Sequence, residues 1–388
     1  MKLSLGQTNN PKRQKLIKGV PSPLLTATAG NNADSYVTRG TLLALDKTDS
    51  PIRNITELRS CLQTAIELEH STIPPYLCAL YSIKEGTNQA ASAIIRSVVV
   101  EEMLHMLLAA NILNAIGGKP KINAKNFIPA YPGSLPDSDD SFIINLAKFS
   151  KETIEVFLRI EKPAHSKAHP KAKGYHTIGQ FYEALMIGLE YVNDHTEGGI
   201  FTTDKEQQKK QITPEHYYGS GGEVVPVYTI KDARLAIEEI VGQGEGIDDT
   251  INDSDEKLFG QGIEYAHYFR FNEVLEEKMY TEQDTPKSGP TGERLPVDWD
   301  AVLDMKTNPK IADFKDQPEL LEKARSFNRT YTSLLNNIHE ACNGQPEQLM
   351  KGIGLMYQLK YKATELMNIP YKDKGLMAGP TFEYENED

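Results

Sequence analysis

The sequence is poor in cysteine and in positive charge, and each shortage excludes a class of protein. Its three cysteines, Cys61, Cys78 and Cys342, form neither a CxxC pair nor an even set that could build a disulfide framework. We therefore expect reduced, mostly buried thiols and a cytoplasmic protein. The 42 lysines and arginines against 54 acidic residues give a net charge of −12. Nucleic acids and anionic membranes bind clustered positive charge, so neither is expected as a main partner.

Long hydrophobic runs are missing as well. No apolar stretch approaches the roughly 18 to 20 residues that a helix needs to cross a bilayer. Residues 1–15 also lack the apolar segment of a secretory signal peptide. What is present suits a folded protein, because 39% of the 388 residues are hydrophobic and 25% are charged, which is enough for a packed core.

Hydrophobic residues recur at helical spacing after residue 54, which predicts an all-α bundle. A first long helix ends before the break at residues 86–88, and a second runs from about 89 to 116, where Gly117-Gly118-Lys119-Pro120 ends it. Two long helices joined by a short loop predict an antiparallel hairpin. Further helices are expected at 142–159, at 177–193 with Thr177 as N-cap, from about 231, from about 253 to 279, at 318–342 and at 345–367.

The chain is expected to have three parts. Residues 1–50 read as an irregular N-terminal arm with one short strand at 41–45. Residues 51–281 form the bundle, with a mixed insertion at about 118–230 that includes a strand-like segment at 224–230. Residues 282–388 supply a linker rich in proline and glycine, followed by C-terminal helices packed on the bundle.

Two Glu-x-x-His motifs carry the clearest chemical signal. Glu102-x-x-His105 and Glu264-x-x-His267 each fall inside a predicted long helix. Three residues along a helix correspond to about 60° of rotation and about 4.5 Å of rise, so carboxylate and imidazole share one face. Each motif lies on the second helix of a predicted hairpin. One Glu from each first helix would complete the ligand set of a ferritin-like metal site.

On the first helix, Glu69 is the best candidate for that single Glu. It shares a face with Ile66 and Ile73, and it lies at the level of Glu102 across the hairpin. Glu67, which belongs to a third Glu-x-x-His motif, is the fallback. Pro74-Pro75 also interrupts this helix, which predicts either a kink or an opening for substrate.

On the third helix, Glu238, Glu239 and Glu245 stay open, because hydrophobic phase does not separate them. A tight turn near residue 253 places Glu245 level with Glu264, whereas a longer loop favours Glu239. With Glu245 taken, the expected metal ligands are Glu69, Glu102, His105, Glu245, Glu264 and His267.

Several segments together resemble a known family. They are residues 67–77 (ELEHSTIPPYL), 101–106 (EEMLHM), 111–120 (NILNAIGGKP), 177–182 (TIGQFY), 243–246 (QGEG) and 267–271 (HYFRF). The set, which covers roughly residues 54–370, resembles the ferritin-like domain family of the iminophenyl-pyruvate dimer synthase type, known from bisindole pathways. The resemblance implies a carboxylate-bridged metal pair at the matched positions and favours Glu245, which sits in QGEG.

Four carboxylates and two imidazoles suit two Fe ions, because these ligands accept Fe(II) and Fe(III) and leave positions open for O2. An Fe/Mn pair is the alternative. We therefore expect a non-haem di-iron, O2-dependent oxidoreductase acting on a small organic, amino-acid-derived substrate in specialised metabolism. Iron storage or detoxification, and a metal-free structural partner of a biosynthetic complex, are the competing hypotheses. The sequence leaves the substrate, the reductant and a homo-oligomer open.

Overall fold

The computed structural model describes residues 50–165, 168–219, 221–246, 250–372 and 375–385. The predicted N-terminal arm and the strand at 41–45 lie outside these residues, apart from Ser50. The helices in the described part are α1 (Ile55–Ser82), α2 (Gln89–Ala115), α3 (Lys151–Ile160), α4 (Ile178–Asp194), α5 (Lys205–Gln208), α6 (Ile230–Glu245), α7 (Asp255–Phe259), α8 (His267–Leu275), α9 (Pro318–Cys342) and α10 (Gln348–Leu366).

Strand structure is minimal in the described part of the chain. Strands β1 (Pro370–Tyr371) and β2 (Leu376–Met377) pair antiparallel, with Pro370 opposite Met377. The all-α prediction is therefore confirmed. Within the described residues, no helix combines the length and the apolar character needed to cross a membrane.

The predicted hairpin of α1 and α2 forms the centre of the fold. Helix α1 begins where the Asn54 side chain accepts hydrogen bonds from two amides of the first turn. The two helices pack against each other and completely bury apolar side chains such as Leu62, Ile66 and Ile95. Each such side chain contributes about 1.5–3 kcal/mol through burial. The hairpin thus places residues of α1 and α2 at fixed levels relative to each other.

Helix α1 continues through Pro74 and Pro75. Pro75 has no N–H to donate to the carbonyl of Ser71, which would ordinarily be its helical partner. The hydroxyl of Tyr131 donates to that carbonyl instead, at 2.7 Å. The backbone hydrogen bond that Pro75 cannot make is therefore replaced by one from a side chain outside the helix. The proline pair follows Glu69 along α1 by five and six residues.

The insertion packs on the hairpin largely without regular structure. The helix expected at 142–159 begins only at Lys151, because Ser150 caps it and Ile144 instead pairs with Gly133. The helix at Ile178–Asp194 begins after Thr177, as predicted, with Thr177 and Gln180 forming a capping box.

The segment predicted as strand-like at 224–230 is irregular up to residue 229. The Asn111 side chain holds it on α2 by donating to the carbonyls of Val225 and Ile212 at 3.0 and 2.8 Å, while its oxygen accepts the Ile212 amide at 2.8 Å. A side-chain amide here supplies the hydrogen bonds that a neighbouring strand would otherwise give.

The prediction of a single helix from about 253 to 279 is wrong. The segment contains the short helices α7 and α8, separated by residues 260–266. Gly260 ends α7 in the left-handed region, with φ of +66°, where glycine fits without strain. The chain then folds back, and the Asp253 amide donates to the carbonyl of Glu264 at 3.0 Å. Glu264 and His267 consequently do not lie on one helix.

The C-terminal helices follow the prediction closely. Helix α9 has the expected bounds, and α10 begins three residues later than predicted. The two pack against each other, with further contacts from α10 to α1 and from α9 to α2. This pair therefore contacts both helices of the central hairpin.

Candidate metal centre

The central hairpin brings together Glu69, Glu102 and His105, all of them buried. Each offers one ligand atom within 4.8 Å of the others. His105 Nδ1 lies 3.5 Å from Glu69 Oε2 and 4.0 Å from Glu102 Oε1. Glu102 and His105 share one face of α2, as their spacing predicts, and Glu69 faces them from α1.

A second buried group shares Glu102 with the first and adds Glu161 and His267. His267 Nδ1 lies 2.9 Å from Glu102 Oε1 and 3.3 Å from Glu161 Oε2. The rings of His105 and His267 are stacked, with their centroids 5.4 Å apart. The geometry therefore has two adjacent ligand groups with a carboxylate common to both.

The two residues that only the second group contains, Glu161 and His267, lie at helix ends. Glu161 is the C-cap of α3, and His267 is the first residue of α8. Glu161 was not among the residues predicted from the sequence. A signal existed, because Ile154 and Phe157 form the buried face of α3 and Glu161 continues that face at i, i+3, i+7 spacing.

The structure places two predicted ligands outside both groups. The Glu245 carboxylate accepts the amide of Gly179 at 2.7 Å and the amide of Ala164 at 3.0 Å. It thereby joins the end of α6 to the start of α4. The Glu264 side chain is 51% exposed and lies 3.7 Å from Arg270. Of the six predicted residues, the structure brings together Glu69, Glu102, His105 and His267.

Two of the alternatives left open by the sequence, Glu239 and Glu67, also lie outside both groups. Glu239 is buried and accepts hydrogen bonds from Gln243 at 3.0 Å and from Ser254 at 2.9 Å. Burial and the nearby Asp255 raise its pKa to about 10. Glu67 is half-buried and accepts a hydrogen bond from Gln63 at 3.0 Å.

Each histidine is held through its second ring nitrogen. His105 Nε2 lies 2.8 Å from the Gln243 side-chain oxygen, and His267 Nε2 lies 2.8 Å from Glu101 Oε2. Arg270 donates to Glu101 in turn, at 2.9 Å from Nη1 to Oε1. Burial opposes ionisation of Glu101, but Arg270 and His267 hold its pKa at about 2. In both histidines, Nδ1 is the nitrogen directed at the carboxylates of the two ligand groups, Glu69, Glu102 and Glu161.

Two buried tyrosines bind the outer carboxylates. The Tyr76 hydroxyl donates to Glu161, and the Tyr182 hydroxyl donates to Glu69. Burial and these carboxylates raise the pKa of both phenols well above the ordinary value, so both keep their protons. The Thr72 hydroxyl lies 2.9 Å from the remaining oxygen of Glu102 and 2.7 Å from the Glu69 backbone carbonyl, so its one proton is shared between these two acceptors. Each outer carboxylate therefore has its own hydroxyl donor, and Glu102 has a hydroxyl within hydrogen-bond distance.

Three carboxylates lie close together in the two ligand groups. In the described parts of the chain, no lysine or arginine forms an ion pair with Glu69, Glu102 or Glu161. Burial and the neighbouring Glu161 raise the pKa of Glu102 to about 8. Burial would lower the pKa of His267, but the carboxylates around it raise that pKa well above its ordinary value. A buried set of three carboxylates and two imidazoles fits a pair of divalent metal ions in charge and in donor type.

Comparisons with known proteins agree with this architecture. A family model described as Ferritin-like matches residues 62–276, more than half of the chain. Dichlorochromopyrrolate synthase from Lentzea aerocolonigenes is 22% identical over 411 residues; the match covers 88% of this chain and 37% of that protein. The crystal structure of a ferritin-like protein from Caulobacter vibrioides matches with a TM-score of 0.57 and 22% identity, covering 86% of this chain and all of that one. The chain thus spans little more than a third of its biosynthetic relative, and the structural match shows the shared fold.

Proposed function

Because the chain belongs to the Ferritin-like family, as its sequence motifs predicted, we propose that it is a non-haem di-iron oxidoreductase that uses O2. The observation that carries the proposal is the pair of buried ligand groups with Glu102 in common. Ligands of this kind accept iron in two oxidation states. An Fe/Mn pair would fit the same donors.

The proposed ligands differ in part from those expected from the sequence. Glu69, Glu102 and His105 would hold one ion, and Glu102, Glu161 and His267 the other. Glu245 and Glu264 are not in the proposed set, because the first binds two backbone amides and the second faces solvent. When bound, the two ions would supply the redox chemistry toward O2.

The residues around the ligands have roles of their own in this proposal. Gln243 and Glu101 hold the histidines with Nδ1 toward the metal positions, and the tyrosine hydroxyls fix the outer carboxylates. The burial of the whole set excludes bulk water, which strengthens the electrostatic attraction for cations.

The substrate class is proposed from similarity. The name dichlorochromopyrrolate synthase describes a biosynthetic enzyme that makes a small organic molecule. We propose a small, amino-acid-derived substrate in specialised metabolism for this chain too. A cytoplasmic location is also proposed, and the three buried, unpaired thiols support it.

The test is metal content after anaerobic loading with Fe(II), read together with the absorption change on adding O2. Wild type should hold about two Fe per chain and show a near-ultraviolet change. Glu102→Gln removes the shared ligand and should lose both the iron and the change. Glu264→Gln is the matched control, since it alters an exposed carboxylate of the same region and should keep both.

Two results would overturn the proposal. One is a wild-type protein that binds no stoichiometric metal. The other is a Glu102→Gln protein that keeps its iron and its response to O2 while remaining folded by circular dichroism.

A further inference from the structure

We propose that the two metal positions are unequal, and that the position built on His267 binds a divalent ion more tightly than the position built on His105. The inference rests on the proposed function, and it concerns the side chains behind the histidines. A carboxylate supports one imidazole, and a neutral amide supports the other.

The support of His267 is charged and rigid. Its Nε2 donates to Glu101 Oε2 over 2.8 Å. Arg270 holds Glu101 from the far side, and its Nη1 also donates to Ser97 Oγ at 3.1 Å. Because Glu264 lies 3.7 Å from the same guanidinium, the positive charge of Arg270 is shared between two carboxylates. Because Arg270 donates to both oxygens of Glu101, this carboxylate nevertheless stays in place as an anionic acceptor for the imidazole.

The support of His105 is neutral, and its orientation is set by other groups. The Gln243 side-chain NH2 donates to Asp255 Oδ1 at 2.9 Å and to Glu239 Oε1 at 3.0 Å. These bonds turn the amide oxygen toward His105 Nε2, 2.8 Å away. His105 must then donate from Nε2, which leaves Nδ1 free toward Glu69. The imidazole has the same tautomer as His267 but a weaker acceptor behind it.

The two positions have the same kinds of carboxylate ligand. Glu102 is common to both, and each outer carboxylate accepts one tyrosine hydroxyl. The difference therefore lies in the acceptor behind each histidine. Hydrogen bonds to an ionised acceptor are roughly twice as strong as neutral ones, and they make the imidazole a better donor to a metal ion. Loss of such a partner lowers metal affinity by about 10- to 100-fold.

The experiment is a Co(II) titration of the metal-free protein under anaerobic conditions, followed by visible absorption. Wild type should bind Co(II) in two resolved steps. His105→Ala should keep the tight step, and His267→Ala should keep only the weak one. Glu101→Gln converts the carboxylate support into the amide kind already behind His105. It should weaken the tight step by about 10- to 100-fold and leave the weak step unchanged.

Gln243→Leu is the matched control, because it removes the support of the other histidine and should weaken only the second step. Glu101→Gln leaves Arg270 without its buried partner and with only the exposed Glu264 nearby, so Glu101→Gln/Arg270→Met provides a neutral version if the single variant does not fold. Each variant is checked for native circular dichroism before titration.

The outcomes separate this inference from the proposed function. Two Co(II) ions bound with equal affinity would overturn the inference and leave the metal centre standing. So would a tight step that survives in His267→Ala, or one that Glu101→Gln and its double variant leave unchanged. A wild-type protein that binds no Co(II) would overturn both.

Discussion

Replacing Glu245 by Gln separates a structural role for this residue from a metal-binding one. Its two oxygens accept the buried amide of Gly179 at 2.7 Å and the half-buried amide of Ala164 at 3.0 Å. A Gln keeps one acceptor oxygen and turns an NH2 group toward the other amide, which then has no acceptor. A hydrogen bond to a charged group is worth about 1.5–3 kcal/mol. Gly179 also lies in the first turn of α4, where a negative charge contributes about 0.3–1 kcal/mol more.

The unfolding free energy of the metal-free protein should therefore fall by about 2–4 kcal/mol in Glu245→Gln, measured by urea titration with circular dichroism. Its metal content after anaerobic loading should equal that of wild type. Gly179→Ala is the matched variant, since a Cβ at this position would lie 2.3 Å from Glu245 Oε1 and displace the carboxylate. The two substitutions disturb one contact, so their effects should be less than additive in the double variant.

A Glu245→Gln protein that loses metal while its stability stays at the wild-type level would refute a purely structural role for Glu245. That result would return Glu245 to the ligand set, and its bonds to the amides of Gly179 and Ala164 would no longer explain its burial.

Three further predictions concern other buried polar groups. Burial holds the pKa of His70 at about 3, below its ordinary 6.5, so only the unfolded chain gains this proton as the pH falls below 6.5. Its contribution to stability is present above pH 6.5 and lost below it; between pH 7.5 and pH 5, wild type should lose about 2 kcal/mol more than His70→Gln in urea titrations. Tyr76→Phe removes the hydroxyl that donates to Glu161 and should lower the unfolding free energy by about 1.5–3 kcal/mol in the same assay. Asn111→Ala breaks three buried hydrogen bonds; it should cost about 2–4 kcal/mol and speed hydrogen exchange at Ile212.

Each of these predictions has a clear contrary result. Parallel pH–stability curves for wild type and His70→Gln would show that this imidazole is not held neutral by burial. A Tyr76→Phe protein as stable as wild type would mean that the hydrogen bond from the phenol to Glu161 contributes nothing to the free energy of unfolding. Unchanged exchange at Ile212 in Asn111→Ala would show that another contact fixes the insertion on α2.

The central hairpin was predictable because its information is local. The apolar period of α1 and α2, the short loop and the terminating glycines determine which faces meet. The spacing of Glu102 and His105 on one helix then follows, and Glu69 follows from its level across the loop. These three residues needed no knowledge of the rest of the chain.

The other half of the centre depends on features that periodicity does not report. Glu161 follows the last residue of α3, in a region where the sequence predicted a longer helix with different bounds. Gly260 ends α7 early, so Glu264 leaves the helical face that its spacing to His267 implied. On α6, tertiary contacts of Glu239 and Glu245 with other segments decide where each carboxylate points. Such contacts between distant segments are not encoded in a local pattern.

The unequal origin of the ligands also bears on the order in which the centre assembles. Glu69, Glu102 and His105 come from neighbouring helices, and contacts close in sequence form early because little loop entropy is lost. His267, by contrast, meets Glu161 across 106 residues and Glu101 across 166. During synthesis from the N-terminus, the hairpin half is complete long before the chain reaches α8. We therefore expect the position with the stronger support to be finished last.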